Sequence, residues 1–212
     1  IKHLQKALEL LGALSGHDEE IWDERELTLL LDLRVLLQVI KGPGTAAVVP
    51  INSRARRLSK RIGSTKQRFA ALWGSWSLHN ARGNYEIAHC IAKQLLKLAQ
   101  QEKQPHLLLE ARHALWSTTS SLGYVNAAQE HIAAGIELSD SGSCTHLVPL
   151  SGHDPIVCAL GNASIVTWIL GQYEQSQYYA GKTLSRALEL DHPPSLALGL
   201  IDVVEYHQLR QE

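Results

Sequence analysis

Gly83-Asn84-Tyr85-Glu86-Ile87-Ala88, Gly123-Tyr124-Val125-Asn126-Ala127-Ala128 and Gly171-Gln172-Tyr173-Glu174-Gln175-Ser176 are three versions of one six-residue phrase. Each sets a glycine, a spacer, Tyr or Val, two spacers, and Ala or Ser, and each joins one run of helical pattern to the next. Gly83 and Gly123 lie 40 residues apart, and Gly123 and Gly171 lie 48 apart. A phrase recurring at that interval marks a helical-hairpin repeat, a unit that buries its apolar face only by stacking on neighbours. The glycine ends the first helix where the backbone must reverse. Ala88, Ala128 and Ser176, five residues on, are small where the two helices approach most closely. Trp76 and Trp116, each seven residues before its glycine, are assigned to the hairpin core.

Outward from the phrase, apolar residues recur at helical spacing almost everywhere. Helices are expected over about 2–14, 19–41, 49–62, 66–82, 84–101, 110–122, 124–138, 156–170 and 172–190, with a last one from His192-Pro193-Pro194 onward. Ser15-Gly16 reads as a helix end, Asp18 as a helix cap, and Gly42-Pro43-Gly44 as a break. Residues 139–155 form the one irregular stretch and account for the longer final interval. The fold class is all-α, an α–α superhelix of about ten helices in one repeat domain. Its hairpins span about 18–62, 66–101, 104–138 and 156–190, with partial units at both ends. There is no Met, and Ile1 falls inside a helical pattern, so the chain reads as an interior segment of a longer protein.

Composition narrows the classes of function. Of 212 residues, 45% are hydrophobic and 19% charged, enough apolar material for a continuous core. A net charge of −1 and a pI near 6.9 give no bulk attraction to nucleic acid or anionic membrane. Cys90, Cys144 and Cys158 are an odd number without C-x-x-C spacing, as reduced cytoplasmic thiols would be. No stretch has the roughly 18 uninterrupted apolar residues of a membrane span.

The repeat resembles the tetratricopeptide family, with units longer than its usual ~34 residues. The resemblance is closest to the tetratricopeptide-like region that follows class III adenylate/guanylate cyclase and ATPase modules in large bacterial signalling proteins. It is carried by Glu26-Leu27-x-Leu29-Leu30-Leu31, Leu72-Trp73-Gly74-x-Trp76, Leu108-Leu109-Glu110-Ala111-x-x-Ala114-Leu115, Gly152-His153-Asp154-Pro155-x-Val157, Trp168-Ile169-Leu170-Gly171 and Tyr206-His207-Gln208-Leu209-Arg210. It implies a non-catalytic interaction and regulatory domain, cytoplasmic, whose partner is a protein, a peptide or another domain of the same chain. Two alternatives are a structural or oligomerisation spacer and the regulatory tail of a winged-helix transcription regulator.

In tetratricopeptide arrays the first helix of each hairpin lines a concave face. Counting from the glycines gives a groove of Trp73, Ser77 and Asn80, then His113, Ser117 and Ser120, then Ile165 and Trp168. Catalytic motifs are missing: no G-x-S-x-G surrounds a serine, and Gly42-Pro43-Gly44 lacks the Lys-Ser/Thr of a phosphate loop. No enzyme and no cofactor are expected. Cys144, His146, His153 and Cys158 are metal-ligating types, but they lack paired ligand spacing, and Asp154 reads as a cap before Pro155. No metal is expected. Arg54, Arg57 and Arg61 share a helix face with Arg56 and Lys60 nearby. With no aromatic residues among them they read as a solvated face, not a nucleic-acid patch. The terminal helices are expected to expose apolar faces and to pair two copies of the chain.

Overall fold

The computed structural model describes residues 1–13, 19–141 and 148–211. Among these the chain is all-α, with eleven helices and no strand. They are α1 (Lys2–Ala13), α2 (Glu19–Lys41), α3 (Val48–Arg61), α4 (Thr65–Ala81), α5 (Tyr85–Glu102), α6 (Pro105–Ser121), α7 (Val125–Asp140), α8 (Val148–Ser151), α9 (Pro155–Ile169), α10 (Tyr173–Glu189) and α11 (Pro193–Arg210). The helix expected to begin at Glu110 starts at Pro105, because a proline fits the first turn, where its missing N–H is not needed. Four-residue α8 lies in the stretch read as irregular. The Ser15-Gly16 end and the Asp18 cap fall outside the described residues.

The three phrases make one turn three times. Gly83, Gly123 and Gly171 have φ of +74°, +77° and +76°. At each, the N–H after the glycine reaches a carbonyl five residues back: Asn84 to His79 at 2.9 Å, Tyr124 to Thr119 at 2.8 Å and Gln172 to Thr167 at 2.8 Å. The glycine N–H bonds Asn80, Ser120 or Trp168 in turn. This double closure satisfies carbonyls that the helix end leaves open, and it needs a residue at ease in left-handed backbone. Ala88, Ala128 and Ser176 are each fully buried, as are Trp116 at 0% exposure and Trp76 at 3%. Ser176 also donates its hydroxyl to the Ser164 carbonyl across α9 and α10, at 2.6 Å.

By compactness the chain divides into two units, residues 1–91 and 92–212, within the one repeat domain expected from the sequence. A stack in which helices meet only near neighbours admits such divisions readily. In the first unit α1 packs on α2, α2 on α3 and α4, and α3 on α4. Its core is Leu27, Leu30, Leu33, Leu37, Val48, Ala55, Leu58 and Ala71. In the second unit α6 packs on α7 and α9, α9 on α7, α10 and α11, and α10 on α11. Consecutive pairs that also touch the pair beyond are the packing expected of a helical repeat superhelix. The position of α9 among four neighbours explains why it is apolar on nearly every face.

Asp154 caps α9 and joins three helices. Its Oδ1 accepts from the Ile156 and Val157 amides at 2.8 and 2.9 Å. Arg186 of α10 donates to both carboxylate oxygens, and the Ser195 hydroxyl of α11 accepts from the Asp154 amide at 2.8 Å. The capping role read from the sequence is therefore only part of what this residue does.

Candidate functional site

The expected groove residues separate into two kinds of environment. Trp73 is 1% exposed, edge-on to Trp76 at 5.0 Å and beneath the Arg34 guanidinium at 5.5 Å. Ser77 is buried and donates to the Gln38 side chain at 3.3 Å. His113 is 2% exposed. These three are interior side chains and line no groove, contrary to the expectation from the sequence. The count from the glycine finds a helix face, and neighbouring helices then cover that face. Asn80, Ser117, Ser120, Ile165 and Trp168 are half-buried and reach the surface.

Trp168 has company there. Tyr173, 59% exposed, lies 4.6 Å from it ring to ring, and Tyr206 meets it edge-on at 6.3 Å. The Arg210 guanidinium stands 5.8 Å from the Trp168 ring and 5.3 Å from Tyr206, whose hydroxyl it also bonds at 2.6 Å. Exposed Ile169 follows Trp168 in sequence. The turn at Gly171 produces this arrangement: it reverses the chain so that the end of α9 and the start of α10 place both rings at one hairpin tip. Neither partner of Trp168 is legible as such in the sequence: Tyr173 reads as the phrase's own tyrosine, and Arg210 lies 42 residues from Trp168.

A second cluster lies inside the same unit. His113 of α6 stacks on Trp116 at 5.1 Å and shares a 3.2 Å contact between its Nδ1 and Glu110 Oε2. His153, from the turn before α9, sets its ring edge-on to His113 at 5.2 Å. A side-chain nitrogen of each histidine and the Cys158 sulfur lie within 4.8 Å of one another. Cys144 and His146, read with His153 and Cys158 as ligand types, lie outside the described residues.

The environments split the two imidazoles. Burial disfavours charge on His113, but Cys158 and Glu110 outweigh it and raise its pKa to about 10. Burial, reinforced by His113, lowers His153 to about 3 and keeps it neutral. A thiol, an imidazole and a carboxylate close together are also the parts of a nucleophilic triad. Cys158, however, is only 6% exposed, and a nucleophile must meet its substrate.

Asp202 of α11 is buried nearby, its carboxyl against Gly161 of α9 and its Oδ2 without a hydrogen-bond partner among the described residues. Burial, helped by Glu205 and opposed by His113, raises its pKa to about 7. The folded protein therefore holds this proton between about pH 4 and 7 while the unfolded chain has released it, so stability falls as pH rises through that window. Asp202→Asn removes the dependence. Between pH 4.5 and 8.5 the wild type should lose on the order of 2–4 kcal/mol relative to the variant in urea denaturation. A gap that stays constant with pH contradicts this.

Two of the five basic residues on α3, Arg54 and Arg61, pair with carboxylates of α2. Arg54 makes two bonds to Glu26, at 2.8 and 2.7 Å, which raise its pKa, and Arg61 bridges Glu19 and Asp23. Arg54 and Arg61 thereby hold α3 to α2, while Arg57, Lys60 and Arg61 stay exposed, as a solvated face would. No helix among the described residues is long and apolar enough to cross a membrane. No protein-family model matches the chain, and no curated protein matches it.

Proposed function

We propose that the chain is a non-catalytic protein-interaction and regulatory repeat domain, working in the cytoplasm. It would be of the kind that follows the cyclase and ATPase modules of large bacterial signalling proteins. The stacked hairpins support this, and the observation that carries it is the patch of Trp168, Tyr173 and Arg210. Trp, Tyr and Arg are the residues that dominate binding hot spots, because each brings large area with few rotatable bonds and a polar handle. An indole flanked by a guanidinium grips a peptide side chain from two sides. The partner is a protein segment or another domain of the same chain.

A photoreactive phenylalanine in place of Tyr173, in the organism the chain comes from, tests the reading. It should give a discrete protein adduct that Trp168→Ala reduces by about 30-fold, the effect of losing one hot-spot residue. The same probe at Tyr178, 58% exposed elsewhere on α10, should not. No adduct at Tyr173, or equal adducts at both places, defeats the proposal.

Two observations favour the second reading, self-association. On α11, Leu200, Ile201 and Val204 are exposed together, opposite the buried Ser195, Gly199, Asp202 and Tyr206. On the other unit α1 and α2 form an apolar groove of about 630 Å³ that includes Leu10, Leu11, Ile21 and Trp22. If the adduct at Tyr173 proves to be a second copy of the chain, this reading takes over.

A further inference from the structure

Partner binding at the Trp168 patch leaves the buried histidine–cysteine cluster unused. We propose that His113, His153 and Cys158 bind a single transition-metal ion of the zinc class, with Glu110 as the positioning residue for His113. Imidazole and thiolate are the ligands such an ion prefers over the oxygens that hold calcium or magnesium. Three protein ligands are what an ion with one open position requires.

Three observations support the site. First, the three side chains come from separate places, α6, the turn before α9, and α9 itself. Two of them are 40 residues apart, yet their donor atoms lie within 4.8 Å of one another. A tetrahedral ion sets such atoms about 3.3–3.6 Å apart, given bonds of about 2.0–2.3 Å. Small side-chain rotations close the difference, since the helices are already packed together.

Second, the outer groups are those that orient metal-bound histidines. A ligating imidazole usually gives its other N–H to a carboxylate or a backbone carbonyl, which fixes the ring and the tautomer. His113 turns its Nδ1 to the Glu110 carboxylate. His153 bonds the Ser151 backbone, while its Nε2 is buried with no hydrogen-bond partner among the described residues. The first arrangement is the carboxylate–imidazole pair, and the second is the carbonyl–imidazole pair with a lone pair left for an ion.

Third, Glu110 Oε1 is also buried without a hydrogen-bond partner among the described residues. Two such buried polar atoms beside a thiol are costly in a dry interior and inexpensive around a cation. A plain structural core would fill these positions with apolar side chains, as Trp116, Ile156 and Ala159 do around them.

The experiment uses the whole chain without a histidine tag, stripped by a chelator and titrated with zinc and, separately, with cobalt(II). Zinc should saturate at one ion per chain and raise the melting temperature, and cobalt should develop a thiolate charge-transfer band. Cys158→Ala or His153→Ala should weaken zinc binding by more than about 100-fold and abolish the band, and Glu110→Gln should weaken it by about 10–100-fold. Cys90→Ala, at an exposed thiol, should change neither. If the ligand variants melt far below the wild type in chelator, Glu110→Gln, the conservative change, decides the matter. No saturation at one equivalent, no cobalt–thiolate band, or wild-type affinity in Glu110→Gln overturns the site.

Discussion

Trp116→Ala should cost the second unit about 3–5 kcal/mol, the range for deleting a fully enclosed large aromatic. The indole is at 0% exposure, in a core with Leu109, Ala128, Ile132, Ile156, Ala163 and Val166, so no surface stands ready to collapse into the space. Its fit is tight on the α7 side. A methyl group built on Gly135 would lie 2.5 Å from Trp116 Cζ3, so the missing side chain at that glycine gives the ring its seat. His113 stacks on another side, so the deletion also loosens the histidine–cysteine cluster. In thermal denaturation the loss should appear as a drop of roughly 10 °C or more. Trp116→Phe keeps most of the area and should lose less than half as much. A change under about 1 kcal/mol for Trp116→Ala would show that the core refills, against the close packing described.

Gly161→Ala should be nearly as damaging, about 3 kcal/mol or more, although it adds a single methyl to a helix. That methyl would lie 2.0 Å from Asp202 Oδ2, 2.5 Å from its Cγ and 2.6 Å from its Cβ. Rotating the carboxyl relieves the first contact and leaves the last, so α11 has to lift from α9. The control is Gly181→Ala in α10, where nothing lies within 4 Å. There the same change should stabilise by about 0.5–1 kcal/mol, through helix preference alone. Asp202→Gly removes all three obstructing atoms. Combined with Gly161→Ala it should recover most of the loss, a non-additivity that residues in contact produce. Additive losses in the double variant would place the damage elsewhere.

Local chemistry made much of this fold readable from sequence. The hairpin turns are specified by residues within six positions of one another, and the helix starts at Pro155 and Pro193 follow from proline's own geometry. Small Ala128 and Ser176 follow from the close approach their glycines impose. The candidate sites were readable only in part, Trp168 as a groove residue and His153 and Cys158 as ligand types, and the rest was hidden for one physical reason. His113 meets His153 and Cys158 only because α6 packs on α9, and Asp202 covers Gly161 only because α11 does. Periodicity indicates that a face is covered without indicating by what. Hence Trp73, Ser77 and His113 looked like groove residues and proved to be interior. The pairing of Arg54 with Glu26, 28 residues away, escaped a reading of charge along one helix for the same reason.

The recurrent glycine turn has a kinetic consequence. Each reversal is closed by bonds that span at most six residues, so a helix and its successor meet with almost no loop entropy to overcome. Hairpins should therefore assemble early and independently, on the microsecond-to-millisecond scale of chains dominated by short-range contacts. The slower event is the docking of α11 on α9, which brings Ser195 to the Asp154 amide 41 positions away. Refolding should accordingly show helicity returning before Trp168 takes up its native fluorescence beside Tyr206.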